Sequence, residues 1–270
     1  MQGILLVGHG TRDAAGVEEL LTTARRVAQT RPEAAVEPCF LELADPPIAV
    51  AAARLAQRGA NAIVVMPLLL LAAGHAKRDV PRAVAAALAP FPQITSTQAG
   101  HLGCHPAILQ QSATRFYEAI RDHTRSRFGE PSRPETALVL VGRGSYDDDA
   151  NREMHQFARL APQSASVAEV AVCFFAMAQP SLEETLENIA AIRYPRVVVQ
   201  PHLLFDGFLL AGIRAAVAVC AAKHPVTQWI TADRLGPTAQ VSHAIWERID
   251  EAGDSHFQSV ARPLVPAATI

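Results

Sequence analysis

The sequence predicts an α/β protein of two tandem repeats, each a small four-stranded parallel sheet with helices on both faces. Three observations predict it. Val7-Gly8-His9-Gly10 recurs as Val141-Gly142-Arg143-Gly144, Ala44-Asp45-Pro46 as Ala178-Gln179-Pro180, and Val64-Val65-Met66-Pro67 as Val198-Val199-Gln200-Pro201, always 134 positions later. Even Cys39 has its echo at Cys173. A constant register over three separated segments marks a duplicated domain. Second, short β-branched runs alternate with longer Ala/Leu/Arg/Glu segments of helical period, the order of βα units. Third, most of the strand-like runs are near-continuously apolar, as strands covered on both faces must be.

In the first repeat the strands are expected at 4–8, 36–41, 62–67 and 94–98. Helices are expected between and after them at 14–30, 46–58, 77–88 and 106–123. Pro46, Pro47 and Pro106 stand where a helix tolerates proline, in its first turn. The second repeat reads in the same order, with strands at 137–141, 168–174, 197–201 and 228–231. Its helices are expected at 148–160, 180–192, 207–222 and 237–252. This places one repeat at 1–124, a polar, proline-containing linker at 125–135, the second repeat at 136–253 and a loose tail at 254–270.

With 270 residues, half of them hydrophobic, each repeat can bury a core of its own. A formal charge of −2 and the lack of basic runs argue against nucleic acid or a membrane surface as partner. Cys39, Cys104, Cys173 and Cys220 form no CxxC pair, which excludes a zinc ribbon and leaves them as small buried hydrophobes in a reducing cytoplasm. The N-terminus enters a strand without a charged leader, and the apolar run at 64–73 is too short to span a bilayer. A cytoplasmic protein is therefore expected.

Ligands of open parallel sheets bind beyond the carboxyl ends of the strands. In the first repeat His9 follows the first strand, Glu42 the second and His75 the third. Two imidazoles and a carboxylate at one sheet edge suit a divalent metal or proton transfer. Gly8, Gly10 and Gly74 leave room for a large ligand beside them. A lone histidine after a strand is more often a hydrogen-bonded loop residue. Here, however, His9 maps onto Arg143 and His75 onto Leu209. A fold that needed both histidines for packing should have needed them twice.

Arg12, near His9, and Lys77, Arg78 and Arg82, just after His75, could receive an acidic substrate, Arg78 and Arg82 sharing a helix face, although a solvated helix face is the commoner use of such residues. Arg143 cannot ligate a metal cation but can bind a carboxylate with two hydrogen bonds. His101 and His105 follow the fourth strand, with cleft lining and capping equally open, and His202 lies in an apolar run that favours a structural role. A phosphohistidine site would want Arg where Gly8 stands, and GxGxxG fails at Asp13. Neither GxxxxGK[ST] nor GxSxG occurs.

The segments at 5–13, 40–46 and 67–81, carrying Gly8-His9-Gly10, Leu41-Glu42-Leu43 and Gly74-His75-Ala76-Lys77, resemble the sirohydrochlorin chelatases, the class II enzymes that insert cobalt or ferrous iron into sirohydrochlorin. Phe205-Asp206-Gly207 with Gly212-Ile213-Arg214 resembles the degenerate half of the long, tandem members. The resemblance implies that His9 and His75 take the metal and serve in catalysis, and that Glu42 belongs to the same site. The cysteine-bound cluster and His-rich tail of some long members are not in this sequence.

On that reading a polycarboxylated tetrapyrrole lies between the repeats, its carboxylates met by Arg12, Lys77 and Arg143. Co²⁺ or Fe²⁺ is held by neutral His9 and His75, and nickel suits the same ligands. Glu42 or a histidine takes the pyrrole protons. The metal is a substrate and no tightly bound cofactor is expected. Fusion of the repeats predicts a monomer or a weak homo-oligomer. The competing reading is a carrier that binds tetrapyrrole or metal without turnover.

Overall fold

The computed structural model describes residues 1–71, 75–123 and 135–260, with the side chains of 75, 76 and 254–260 outside the described set. The first repeat runs β1 (Gln2–Gly8), α1 (Ala14–Thr30), β2 (Ala35–Phe40), α2 (Ile48–Gln57), β3 (Ala62–Pro67), α3 (Val80–Leu88), β4 (Thr95–Gln98) and α4 (Pro106–His123). The second runs β5 (Thr136–Gly142), α5 (Asp148–Leu160), β6 (Glu169–Phe174), α6 (Leu182–Ile192), β7 (Arg196–Pro201), α7 (Phe208–Lys223), β8 (Gln228–Thr231) and α8 (Ala239–Val260). The sheets are parallel and of one topology, β2-β1-β3-β4 and β6-β5-β7-β8. Even the registers match: Gly8 lies opposite Phe40 as Gly142 lies opposite Phe174.

Every expected strand and helix is present, with shifts at the ends that have local causes. Helix α2 starts at Ile48 because Pro47 is extended (φ −70°, ψ 160°), and the Asp45–Pro46 bond before it is cis. Gln179–Pro180 is the matching cis bond in the second repeat. A π-helical turn, His75–Asp79, precedes α3, whose second residue is Pro81. Helix α8 continues to Val260, past the end expected at 252, since a glycine within a helix costs only about 1 kcal/mol and the first proline beyond it is Pro263. The proposed linker at 125–135 lies outside the described residues except for Glu135, as does the tail from 261.

The helix layers hold one arrangement that the linear repeat does not express. Along β1, Leu5 and Val7 face α2 and α3, whereas Ile4 and Leu6 face α1 and the apolar stripe Val241, Ile245, Trp246 and Ile249 of α8. Along β5, Ala137, Val139 and Val141 face α6 and α7, whereas Leu138 and Leu140 face α5 and Phe116 and Ala119 of α4. The last helix of each repeat thus covers the sheet of the other. A buried polar cluster keys α4 to its foreign sheet: Gln200 donates to the Ser112 carbonyl (2.8 Å), and Gln163 donates to Ser112 Oγ (2.7 Å) and Gln200 Oε1 (3.2 Å). The indole of Trp246 similarly donates to the Val27 carbonyl at 3.1 Å.

All four cysteines are free. Burial pushes the Cys39 and Cys173 thiols up to about 12 and Cys220 up to about 11, so these three stay protonated and inert.

Candidate functional site between the repeats

Parallel pairing sets the ends of β1, β2 and β3 side by side, and the chain then holds the following loops in place. The Leu41 amide donates to the Gly8 carbonyl (2.9 Å) and the Glu42 amide to the His9 carbonyl (3.0 Å). Gly10 has φ +100°, and a Cβ there would stand 1.7 Å from the Glu42 carbonyl oxygen, so only glycine permits this approach. The result brings His9 Nδ1 to 3.5 Å from Glu42 Oε1. His9 is about one-fifth exposed and Glu42 half exposed, so both side chains reach solvent. His75 opens the π-helical turn beyond β3, with its side chain outside the described residues.

The second repeat keeps the scaffold and changes the chemistry. The Phe175 and Ala176 amides donate to the Gly142 and Arg143 carbonyls, and a Cβ on Gly144 (φ +87°) would stand 1.8 Å from the Ala176 oxygen. Arg143 occupies the place of His9 and Ala176 that of Glu42.

These two strand-end clusters face each other across a cavity of about 1190 Å³. His9, Gly10 and Lys77 line it from the first repeat, and Arg143, Tyr146 and Phe208 from the second. Among the described residues the walls are joined at two places. Lys77 Nζ donates to Asp147 Oδ2 (2.9 Å) and Asp149 Oδ2 (3.2 Å), which raises the lysine pKa and lowers that of Asp147. At the other, the Asp206 amide donates to Glu19 Oε2 (2.7 Å), and a Cβ on Gly16 would meet the Asp206 carbonyl oxygen at 2.8 Å.

The expected site residues therefore divide. His9 and Glu42 are together, and Arg143 faces the cavity from the opposite wall. Lys77 lines the cavity with its ammonium on two aspartates of the other repeat. Arg12 is exposed and lies outside the cavity lining, and Arg82 pairs with Asp79 at 3.6 Å. His101 and His105 bind Glu153 (2.5 Å) and Glu247 (3.0 Å), joining the repeats away from the cavity. His202 is buried at the cavity wall with its ring 4.2 Å from that of Phe157. Burial lowers its pKa to about 4, and its Nε2 has no hydrogen-bond partner among the described residues.

Sequence reasoning missed Asp147 and Asp149, the partners of Lys77, and an apolar rim of Leu43, Tyr146, Met177 and Phe208. The signal for part of the rim was available, because Leu43 and Met177 stand at equivalent places in the two copies. Among the described residues no group of three His, Cys, Asp or Glu side chains is arranged to hold a metal ion.

The CbiX family model matches residues 3–119 and again 137–252. A sirohydrochlorin ferrochelatase of Priestia megaterium is 29% identical over 249 residues, 92% of this chain and 90% of the relative. A sirohydrochlorin cobaltochelatase of the same organism is 28% identical over 93% of this chain and 80% of its own length. The structure of SirB from Bacillus subtilis with Fe³⁺ superposes with a TM-score of 0.82 at 28% identity, covering 95% of this chain and 98% of that one.

Proposed function

The chain belongs to the CbiX family in both of its repeats, and from that premise we propose that it is a chelatase inserting cobalt or ferrous iron into sirohydrochlorin. The observation that carries this reading is the pairing of unlike walls around one cavity, with His9 on one repeat, Glu42 Oε1 3.5 Å from its Nδ1 outside the cavity lining, and Arg143 on the other repeat. A neutral imidazole is a good ligand for either metal, and a bidentate guanidinium suits the carboxylates of the tetrapyrrole.

The chemistry asks three things of the protein. It must hold the macrocycle, deliver the metal to its nitrogens and remove the two pyrrole protons that the metal displaces. Arg143 holds the ring by its carboxylates. Lys77 contributes when the substrate carboxylates compete for it with Asp147 and Asp149, and Arg12 contributes only from outside the cavity lining. His9 and His75 hand over the metal. Glu42 orients His9 at Nδ1 and, half exposed and 3.5 Å away, takes a released proton. The metal is consumed as substrate, nickel fits the same ligands, and the reaction calls for no tightly bound cofactor.

No described helix is long and apolar enough to cross a membrane. We place the enzyme in the cytoplasm, acting as a monomer in which the second repeat supplies the wall that a partner subunit would otherwise provide.

The test is anaerobic absorbance spectroscopy of sirohydrochlorin with Co²⁺ or Fe²⁺, comparing the protein with His9→Ala, His75→Ala and no protein. Faster metallation by the unaltered protein alone supports the assignment. Equal rates throughout, with tight tetrapyrrole binding, would make it a carrier.

A further inference from the structure

Two residues of the cavity adopt a backbone conformation that their side chains disfavour. Leu43 has φ +63° and Met177 φ +60°, in the left-handed region where an unbranched or γ-branched L-residue is uncommon. They are equivalent positions of the two repeats, each following the loop that Gly10 or Gly144 brings against its neighbour. Both line the cavity, and both leave much of an apolar side chain in water, 51% exposed for Leu43 and 39% for Met177.

Large apolar side chains held out into a cleft by unfavourable backbone angles are expected where they contact a ligand. The duplication sharpens the point. Between the copies the polar residues diverged, His9 to Arg143 and Glu42 to Ala176, while the exposed apolar residue in left-handed backbone persisted in both. What only one repeat keeps serves the metal. What both keep serves the object that both touch.

We propose that Leu43 and Met177 form an apolar grip on the tetrapyrrole macrocycle, one from each repeat, positioning the ring beside His9. The proposal rests on the chelatase reading and deepens it. The pair contacts the apolar ring, and Arg143, whose carbonyl is hydrogen bonded to the Ala176 amide next to Met177, meets the carboxylates at its edge. Apolar contact and charge thus come from adjacent residues of one loop pair.

The test exploits the backbone conformation. Glycine adopts positive φ freely, so Leu43→Gly and Met177→Gly remove the side chain while keeping the loop. Asn, which tolerates the same region, gives Leu43→Asn as a polar variant of similar length. The readout is fluorescence titration of metal-free sirohydrochlorin, with thermal melting of each protein alongside. Each glycine variant is expected to raise Kd about five- to tenfold, the value of a partly buried aliphatic side chain, with the melting temperature retained. Leu43→Asn is expected to do the same. The loss should persist at 0.5 M salt, where an electrostatic contribution fades. An unchanged Kd in the Leu43→Gly/Met177→Gly double variant overturns the grip, as does an equal rise in Val226→Gly, an exposed site outside the cavity. Failure of the unaltered protein to bind sirohydrochlorin would refute the chelatase reading itself.

Discussion

Replacing Trp246 by alanine should loosen the first repeat, although Trp246 belongs by sequence to the second. The indole is 4% exposed within the cluster that includes Ile4, Leu6 and Met66 of the first sheet. It donates to the Val27 carbonyl at 3.1 Å, and the Arg31 guanidinium lies 4.2 Å from its ring centroid. Truncating a buried Trp costs about 3–5 kcal/mol, and the hydrogen bond and cation–π contact fall largely within that sum. About 4 kcal/mol is a large part of a typical total stability of 5–15 kcal/mol. In native-state hydrogen exchange it corresponds to roughly a thousandfold loss of protection for amides that open with the first sheet. The assay is exchange followed by mass spectrometry on peptides covering β1 and β3, compared with β5 and β7. Loss in β1 and β3 is expected. Unchanged β1 and β3 beside weakened β5 and β7 would refute the exchange of last helices and restore two self-contained domains.

Two further outcomes follow from the cavity. Arg143→Ala should raise KM for sirohydrochlorin about tenfold, the scale of one hydrogen bond to a charged group, and leave Co²⁺ affinity unchanged by calorimetry; Arg143→Lys should recover only part, lacking the planar fork, and full recovery would rule out bidentate binding. His202 has a folded pKa lowered to about 4 by burial, below its ordinary 6.5, so its contribution is fully present above pH 6.5 and is lost as pH falls through 4. At that point roughly 3 kcal/mol is gone. His202→Leu, which copies Leu68 of the first repeat, should flatten the decline of melting temperature between pH 6.5 and 4, and parallel declines in the two proteins would exclude His202 as its source.

Much of this molecule is legible in one dimension. The β1, β3, β5 and β7 runs are apolar because helices cover both faces, and that continuity located the strands within one or two residues. That His9 and Glu42 lie near each other was expected from parallel pairing, since the residues after neighbouring strands lie at one edge of the sheet. The divergence of His9 to Arg143 at constant register is what singles out the first repeat as the proposed working half.

Three matters were decided only by tertiary structure. An amphipathic stripe such as Val241, Ile245 and Ile249 states that α8 is buried, and hydrophobic burial is non-directional, so nothing in the stripe says which sheet it covers. Lys77 reads as a free cation until the fold brings Asp147 and Asp149 within hydrogen-bond distance from 70 residues away or more. The positive φ of Leu43 and Met177 runs against their own preference and is imposed by the loops that Gly10 and Gly144 allow to close. Periodicity, register and residue chemistry are properties of the chain. Which surfaces meet, and what backbone geometry they enforce, is settled by packing among parts the chain order keeps far apart.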